Sequence, residues 1–225
     1  MIKAVLFDLD QTLIDFIGMK KIASKKAAFS MVKAGLKMDR GDAGEMLFDF
    51  YIKEGIESNT AFTRFLKKHG SMDHKILAAG INAYTKAKYE SMRTYPKARI
   101  VLRRLKKKGL KLGIITDAPK LKAWQRLHMM GMEDFFDIVV AFDDTRKKKP
   151  HGSPFSVAVT KLKIAPCEIL FVGDQPQRDI RGAKKAGMIT VLAGYGIQEK
   201  FRKHLKRFKP DYTINSLEEL VRLIK

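Results

Sequence analysis

Short, largely apolar runs, most of them followed within two residues by a carboxylate or a threonine, constrain this chain more than any other feature. Such runs, rich in β-branched residues, occur at Ile2 to Phe7, Leu110 to Ile115, Ile138 to Ala141, Ile169 to Val172 and Ile189 to Leu192. Runs this short with almost no polar alternation fit strands covered on both faces, the condition of a parallel sheet. Helical stripes separate them: Ala98, Val101, Leu102 and Leu105, then Phe155, Ala158, Val159 and Leu162. Gly109 and Gly131 stand where helices are expected to stop, and Ser216 with Glu219 reads as a capping box before Leu217, Leu220, Val221 and Ile224. Strand and helix in alternation predict an α/β fold, an open parallel sheet with helices on both faces.

The stretch from residue 16 to residue 94 breaks the alternation. It carries no strand signal and four helical stripes: Met19 to Met31, Met46 to Tyr51, Phe62 to Leu66 and Ile76 to Ala87. A small all-helical domain is therefore expected between the first and second strands. Its return falls near Tyr95-Pro96, because proline disfavours helix in the residue before it. The α/β core is then residues 1–15 and 95–225.

Composition excludes several classes. One cysteine, Cys167, allows no internal disulfide, and the five histidines show no zinc-like spacing. No apolar stretch is long enough to cross a bilayer, and Asp8 interrupts the N-terminus before a secretory segment develops, so a cytoplasmic location is expected. Forty-five Lys and Arg against 24 Asp and Glu leave a formal charge of +21, which favours anionic partners without choosing among them.

In open α/β sheets ligands bind beyond the carboxyl ends of the strands. The residues there are Asp8 and Asp10, Thr116 and Asp117, Asp143 and Asp144, and Gly173 and Asp174. Like charges meeting in one crevice repel unless a cation sits among them. The all-oxygen donor set with few carboxylates suits Mg²⁺ better than a full Ca²⁺ cage.

The run Phe7-Asp8-Leu9-Asp10-Gln11-Thr12-Leu13, Thr116 after a buried run, Lys149-Pro150, and Gly173-Asp174 followed by Asp179 resemble the four ordered motifs of the haloacid dehalogenase-like hydrolase superfamily. The resemblance spans essentially the whole chain. It implies a Rossmann-like core, and it makes the helical insertion the cap that one large class of the superfamily carries after its first motif. By similarity, Asp8 is the nucleophile that forms an aspartyl phosphate, and Asp10 protonates the leaving oxygen and then takes a proton from water. Thr116 and Lys149 contact the phosphoryl group. Asp8, Asp174 and the main-chain carbonyl of Asp10 bind Mg²⁺, and Asp179 contacts it directly or through a water. Asp179 also reads as the N-cap of the helix bearing Ile180 and Ala183.

Departures from the family pattern bear on the site. Gln11 stands where glycine is common, so the turn must tolerate a side chain, and Gly152 replaces a frequent proline. Asp117 is more acidic than the small polar residue usual beside the threonine, which favours phosphate binding through its N–H over its side chain.

Asp10 argues against a dehalogenase, since expelling a halide needs no acid. The resemblance points to a phosphatase acting on a small phosphorylated metabolite: glyceraldehyde 3-phosphate, another sugar phosphate, or phosphoglycolate. A sugar-phosphate mutase or a phosphonate hydrolase of the same fold is the nearest alternative. A nucleic-acid binder or polynucleotide phosphatase is the alternative of another class, disfavoured because a lid of about eighty residues leaves little room for a polymer. Lys20, Lys21, Lys25, Tyr51, Arg64 and Tyr84 are candidates to select the leaving group. Apolar side chains on the helical insertion could form a homodimer face.

Overall fold

Ala4–Phe7 (β1) is buried at every position, which requires neighbours on both edges and both faces. A computed structural model describing residues 1–224 supplies them. β1 pairs in parallel with Lys111–Ile115 (β2) on one side and Ile169–Gly173 (β4) on the other. Ile138–Val140 (β3) extends the sheet beyond β2, and Ile189–Ala193 (β5) extends it beyond β4. A sixth strand, Tyr212–Ile214 (β6), closes the far edge, giving the order β3-β2-β1-β4-β5-β6 with every pair parallel.

The register puts Phe7 opposite both Ile114 and Val172. The residues that follow these strands therefore come out at one end of the sheet. Gly113 makes the close strand and side-chain packing possible, since a Cβ there would lie 2.6 Å from Leu6 and from Ile138. Ala98–Lys107 (α5), Lys120–Met129 (α6), Gly152–Leu162 (α8) and Leu217–Leu223 (α11) are the longer helices of this unit. Phe155 of α8 meets Phe171 of β4 edge to face at 5.4 Å, inside a cluster with Leu6, Ile115 and Val140.

The described chain divides into two compact units, Met1–Asp15 with the chain from Thr94 onward, and Phe16–Arg93. The second is wholly helical in its regular structure: Phe16–Lys33 (α1), Arg40–Glu54 (α2), Ala61–Lys68 (α3) and His74–Ser91 (α4). Asp39 and Asp73 cap α2 and α4, each accepting two backbone N–H bonds. Gly80 of α4 lies against Met31 of α1, where an added Cβ would fall 2.0 Å from the Met31 methyl. Among the described residues no helix is long and apolar enough to cross a membrane.

Two local expectations need correction. The capping box at α11 does not form: Glu219 accepts from the Asn215 N–H at 3.1 Å, one residue before the N-cap, and meets the Ser216 hydroxyl, which among the described residues caps no backbone N–H. Asp143 and Asp144 do not join the acidic group at the strand ends. They sit in the short helix Phe142–Thr145 (α7), where Asp144 accepts from Ala141 N and from Lys120 Nζ, and Asp143 from Lys120 N.

Candidate active site

Asp8 follows β1 directly, its N–H donating to Val172 O at 2.8 Å, so sheet pairing continues as far as Asp8. The next residues turn sharply. Gln11 adopts φ 62°, the left-handed region that costs a non-glycine residue about 1 kcal/mol, and its amide donates to Tyr95 Oη at 3.1 Å. The Gly196 backbone packs against this turn so closely that a Cβ there would lie 1.7 Å from Gln11 O. Tyr195 donates to Thr12 O at 2.8 Å and meets Tyr95 edge to face at 4.7 Å. The turn is thus held by residues from distant parts of the chain.

Lys149 is the hub. Its ammonium lies 2.6 Å from Asp8 Oδ1, 2.7 Å from Asp179 Oδ1 and 3.0 Å from Ile115 O, with its own side chain fully buried. Its backbone N–H donates to Asp117 Oδ1 at 2.9 Å, and the following bond to Pro150 is cis. Burial alone would push this lysine's pKa down, but Asp179, Asp8 and Asp117 outweigh burial and hold it above the ordinary value.

Asp174 lies just past β4 with no exposure, and among the described residues neither of its carboxylate oxygens has a hydrogen-bond partner. Asp179 is brought beside it by a single π-helical turn, Pro176–Ile180, closed by the Gln175 N–H donating to Asp179 Oδ2 at 2.9 Å. Asp179 is therefore not a helix N-cap; the helix Arg181–Lys185 (α9) starts two residues on, and the carboxylate closes the turn behind it. Glycine at 173 is obligatory for this approach, because a Cβ there would meet Asp179 Cβ at 2.5 Å.

Asp8, Asp174 and Asp179 each offer an oxygen within 4.8 Å of the others. Burial drives the Asp8 pKa up to about 7, with Asp179 adding to the rise and Lys149 and Arg178 opposing it. Asp174 is raised well above the usual carboxylate range by burial, then by Asp179 and Asp8. Both shifts express one unmet need, a positive charge among these oxygens.

Thr116 lies just past β2, its N–H bonded to Val140 O. Its hydroxyl accepts from Ala118 N at 3.1 Å, which leaves its proton to donate. The Asp117 side chain is engaged by the Lys149 N–H and by Arg178, so it serves the frame of the site rather than an anion.

Two arginines went unseen in the sequence. Arg126 on α6 is buried and donates to Asp10 Oδ2 at 2.6 Å. Its signal was a cation on the face that Ala123 and Leu127 otherwise make apolar. Arg178 pairs with Asp117 from within the π-helical turn, a cation between two motif aspartates. In the helical unit, three of the leaving-group candidates meet: Lys20 is buried with its ammonium 3.9 Å from the Tyr51 ring centroid, 5.2 Å from that of Tyr84 and 5.5 Å from that of Phe16. Lys25 and Arg64 instead pair with Glu45 and Glu54.

The donors suit a hard divalent ion. Around Lys149, Arg126 and Arg178 stand Asp8, Asp10, Asp117, Asp174 and Asp179, which with all five ionised would leave a deficit of two positive charges. The unpartnered oxygens of Asp174 are where such an ion would find ligands without breaking existing bonds.

A family model described as haloacid dehalogenase-like hydrolase matches residues 5–193. The chain belongs to this family. Among curated members, it is 37% identical over 226 residues to a glyceraldehyde 3-phosphate phosphatase of Methanocaldococcus jannaschii, covering 100% of this chain and 98% of that one. A protein of the same name from Pyrococcus furiosus is 34% identical, covering 100% of this chain and 93% of its own length. Among solved members, a haloacid dehalogenase-like phosphatase from Thermococcus onnurineus superposes with a TM-score of 0.69 at 26% identity, covering 99% of this chain and 98% of that one.

Proposed function

We propose that this haloacid dehalogenase-like hydrolase is a Mg²⁺-dependent phosphatase of small phosphorylated metabolites, with glyceraldehyde 3-phosphate its foremost substrate. The observation that carries the reading is the buried group of Asp8, Asp174 and Asp179 around Lys149. The choice of ester rests on the relatives of that name.

In the first step an Asp8 carboxylate oxygen attacks phosphorus, and the ester P–O bond breaks. The leaving alkoxide takes its proton from Asp10, which Arg126 holds in place. Asp10 then accepts a proton from water as the water oxygen attacks phosphorus, and the acyl phosphate splits to inorganic phosphate and Asp8. Thr116 donates its hydroxyl proton to a phosphoryl oxygen, the Asp117 N–H does the same, and Lys149 offsets the phosphoryl charge while fixing the nucleophile. Asp8, Asp174, Asp179 and the Asp10 carbonyl would hold the metal, whose contribution is to neutralise charge on the transferring phosphoryl group. We assign the helical unit, residues 16–93, the role of a cap that selects the ester, with Lys20 as its reader of an oxygen-rich leaving group.

The test is a phosphate-release screen over metabolite esters, with Mg²⁺ or with chelator, on the native chain, Asp8→Asn and Asp10→Asn. Glyceraldehyde 3-phosphate should give the highest kcat/KM, chelation should abolish turnover, and Asp8→Asn should be inactive. Turnover that survives Asp8→Asn would remove the nucleophile. Isomerised phosphate ester in place of free phosphate would make the enzyme a mutase.

A further inference from the structure

A cavity of about 620 Å³ opens on the core unit among residues that take no part in the chemistry above. Its walls come from α9 and from the segment 206–209. Six of its eight lining residues are cations: Arg181, Lys184, Lys185, Lys206, Arg207 and Lys209. Phe208 lies among them, half-buried, with the Arg181 and Arg207 guanidinium carbons 5.5 Å and 5.4 Å from its ring centroid. The buried side chain of Ile180 completes the lining.

The charges in this cavity are not balanced from within. Lys184 pairs with Asp211 at 2.9 Å and donates to Lys209 O. Among the described residues, no carboxylate pairs with Arg181, Lys185, Lys206, Arg207 or Lys209. Elsewhere on the core the basic side chains more often find acids, as Lys106 and Lys111 do at Asp137 and Lys120 at Asp144. A solvated basic face of a helix spreads its charge outward, whereas here two separate segments turn theirs onto one concavity. The phenyl ring holds two guanidinium groups by cation–π contact, which limits the side-chain order that an anion must impose on binding.

We propose that this cavity binds a compact oligophosphate, the chain of linked phosphates found in inorganic tripolyphosphate and in nucleoside triphosphates. Its volume lies within the range of roughly 300–1,000 Å³ usual for small-ligand sites. Five cations without acidic partners exceed the charge of an orthophosphate and match that of three or more linked phosphates. Convergence on a cavity, rather than a stripe along the surface, favours a small polyanion over a nucleic acid. The inference goes beyond the phosphatase reading and stands or falls without it.

The experiment is calorimetric titration of the full-length chain with tripolyphosphate, ATP, adenosine and orthophosphate, beside the double charge reversal Arg207→Glu with Lys209→Glu. Both positions are exposed, so the variant should fold, and circular dichroism checks this. Tripolyphosphate and ATP should bind saturably, adenosine should not bind, and added salt should weaken the affinity. The double variant should lose at least tenfold in affinity for both oligophosphates while phosphatase turnover stays unchanged. Equal affinity in the variant places the anion elsewhere and overturns the proposal. Single-stranded RNA that binds the native chain more tightly than tripolyphosphate, and is lost in the same variant, also overturns it in favour of a nucleic-acid surface. ATP that binds while tripolyphosphate does not would overturn it too, since the base and not the phosphate chain would then be recognised.

Discussion

At the scale of single residues, the site depends on backbone that gives way where carboxylates must meet. Gly173 is the clearest case, because Asp179 occupies the space of any side chain at that position. Gly173→Ala should lower kcat/KM by about 10²-fold, the usual cost of displacing a reacting group by about an ångström. Metal titration of the variant should weaken in parallel, and unchanged Mg²⁺ affinity would mean that Asp179 is not a ligand. Arg126 offers a second test. Arg126→Ala removes the 2.6 Å contact that orients Asp10 and should reduce kcat by roughly 10- to 100-fold with little change in KM, whereas Arg126→Lys should recover part of the loss. A drop confined to KM would make the arginine a substrate contact. The places of Asp8, Thr116 and Asp174 just past strands were legible because the apolar runs mark those strands out, whereas Lys149, the last of four successive cations, stood out only through its resemblance to the family motif. Arg126 and Arg178 could not be read, since a cation on a helix face or in a turn looks like any other in a chain with 45 of them.

Elements tell a similar story. The five runs expected as strands all form, because each is buried on both faces and needs no partner information to be recognised. β6 escapes that logic: Tyr212 and Thr213 are exposed, and only Ile214 is buried. What places this edge strand is a polar clamp. Asp211 Oδ2 accepts from Thr190 N at 2.8 Å and Thr190 Oγ1 at 2.6 Å, the Asp211 N–H donates back to Thr190 Oγ1, and Lys184 pairs with the other oxygen. Thr190→Val removes the two bonds made through the Thr190 hydroxyl, each worth about 0.5–1.5 kcal/mol, so it should cost about 1–3 kcal/mol in denaturant unfolding. Hydrogen exchange should rise first in β6 and its link to β5. Protection unchanged there would mean that the clamp follows the strand instead of holding it. The missing box at α11 has a comparable cause: Glu219 is drawn back to the Asn215 N–H, and the Ser216 hydroxyl turns toward Glu219 instead of the helix.

For the whole molecule, folding assembles a charge imbalance that only a cation or protons can relieve. Asp8 has a pKa of about 7 in the metal-free fold against 3.8 as the ordinary value. A carboxyl raised in this way adds stability below the ordinary value and loses it as pH rises through about 7. The metal-free protein should therefore lose thermal stability between about pH 4 and pH 7 from this group. Mg²⁺ needs the deprotonated carboxylates, so its rise in Tm should be larger above pH 7 than below it. At a hundredfold excess over Kd the ion should add about 2.7 kcal/mol, readable by calorimetry. An equal Mg²⁺ effect at both ends of the range would move the ion away from Asp8 and Asp174. In the helical unit, Lys20→Met keeps the packing among Phe16, Tyr51 and Tyr84 while removing the charge. Under the role proposed for the helical unit it should raise KM for glyceraldehyde 3-phosphate with little effect on Tm, and an unchanged KM would leave Lys20 a packing residue. The chain by itself determined the strand and helix order, the helical insertion and the acidic strand ends, because hydrophobic period and motif spacing are local properties. Only the tertiary structure decided which cations meet those acids, how Asp179 turns back to Asp174 and where the sheet ends. Each of these depends on groups far apart in sequence meeting in a buried place, where an unpaired charge costs too much to leave unmet.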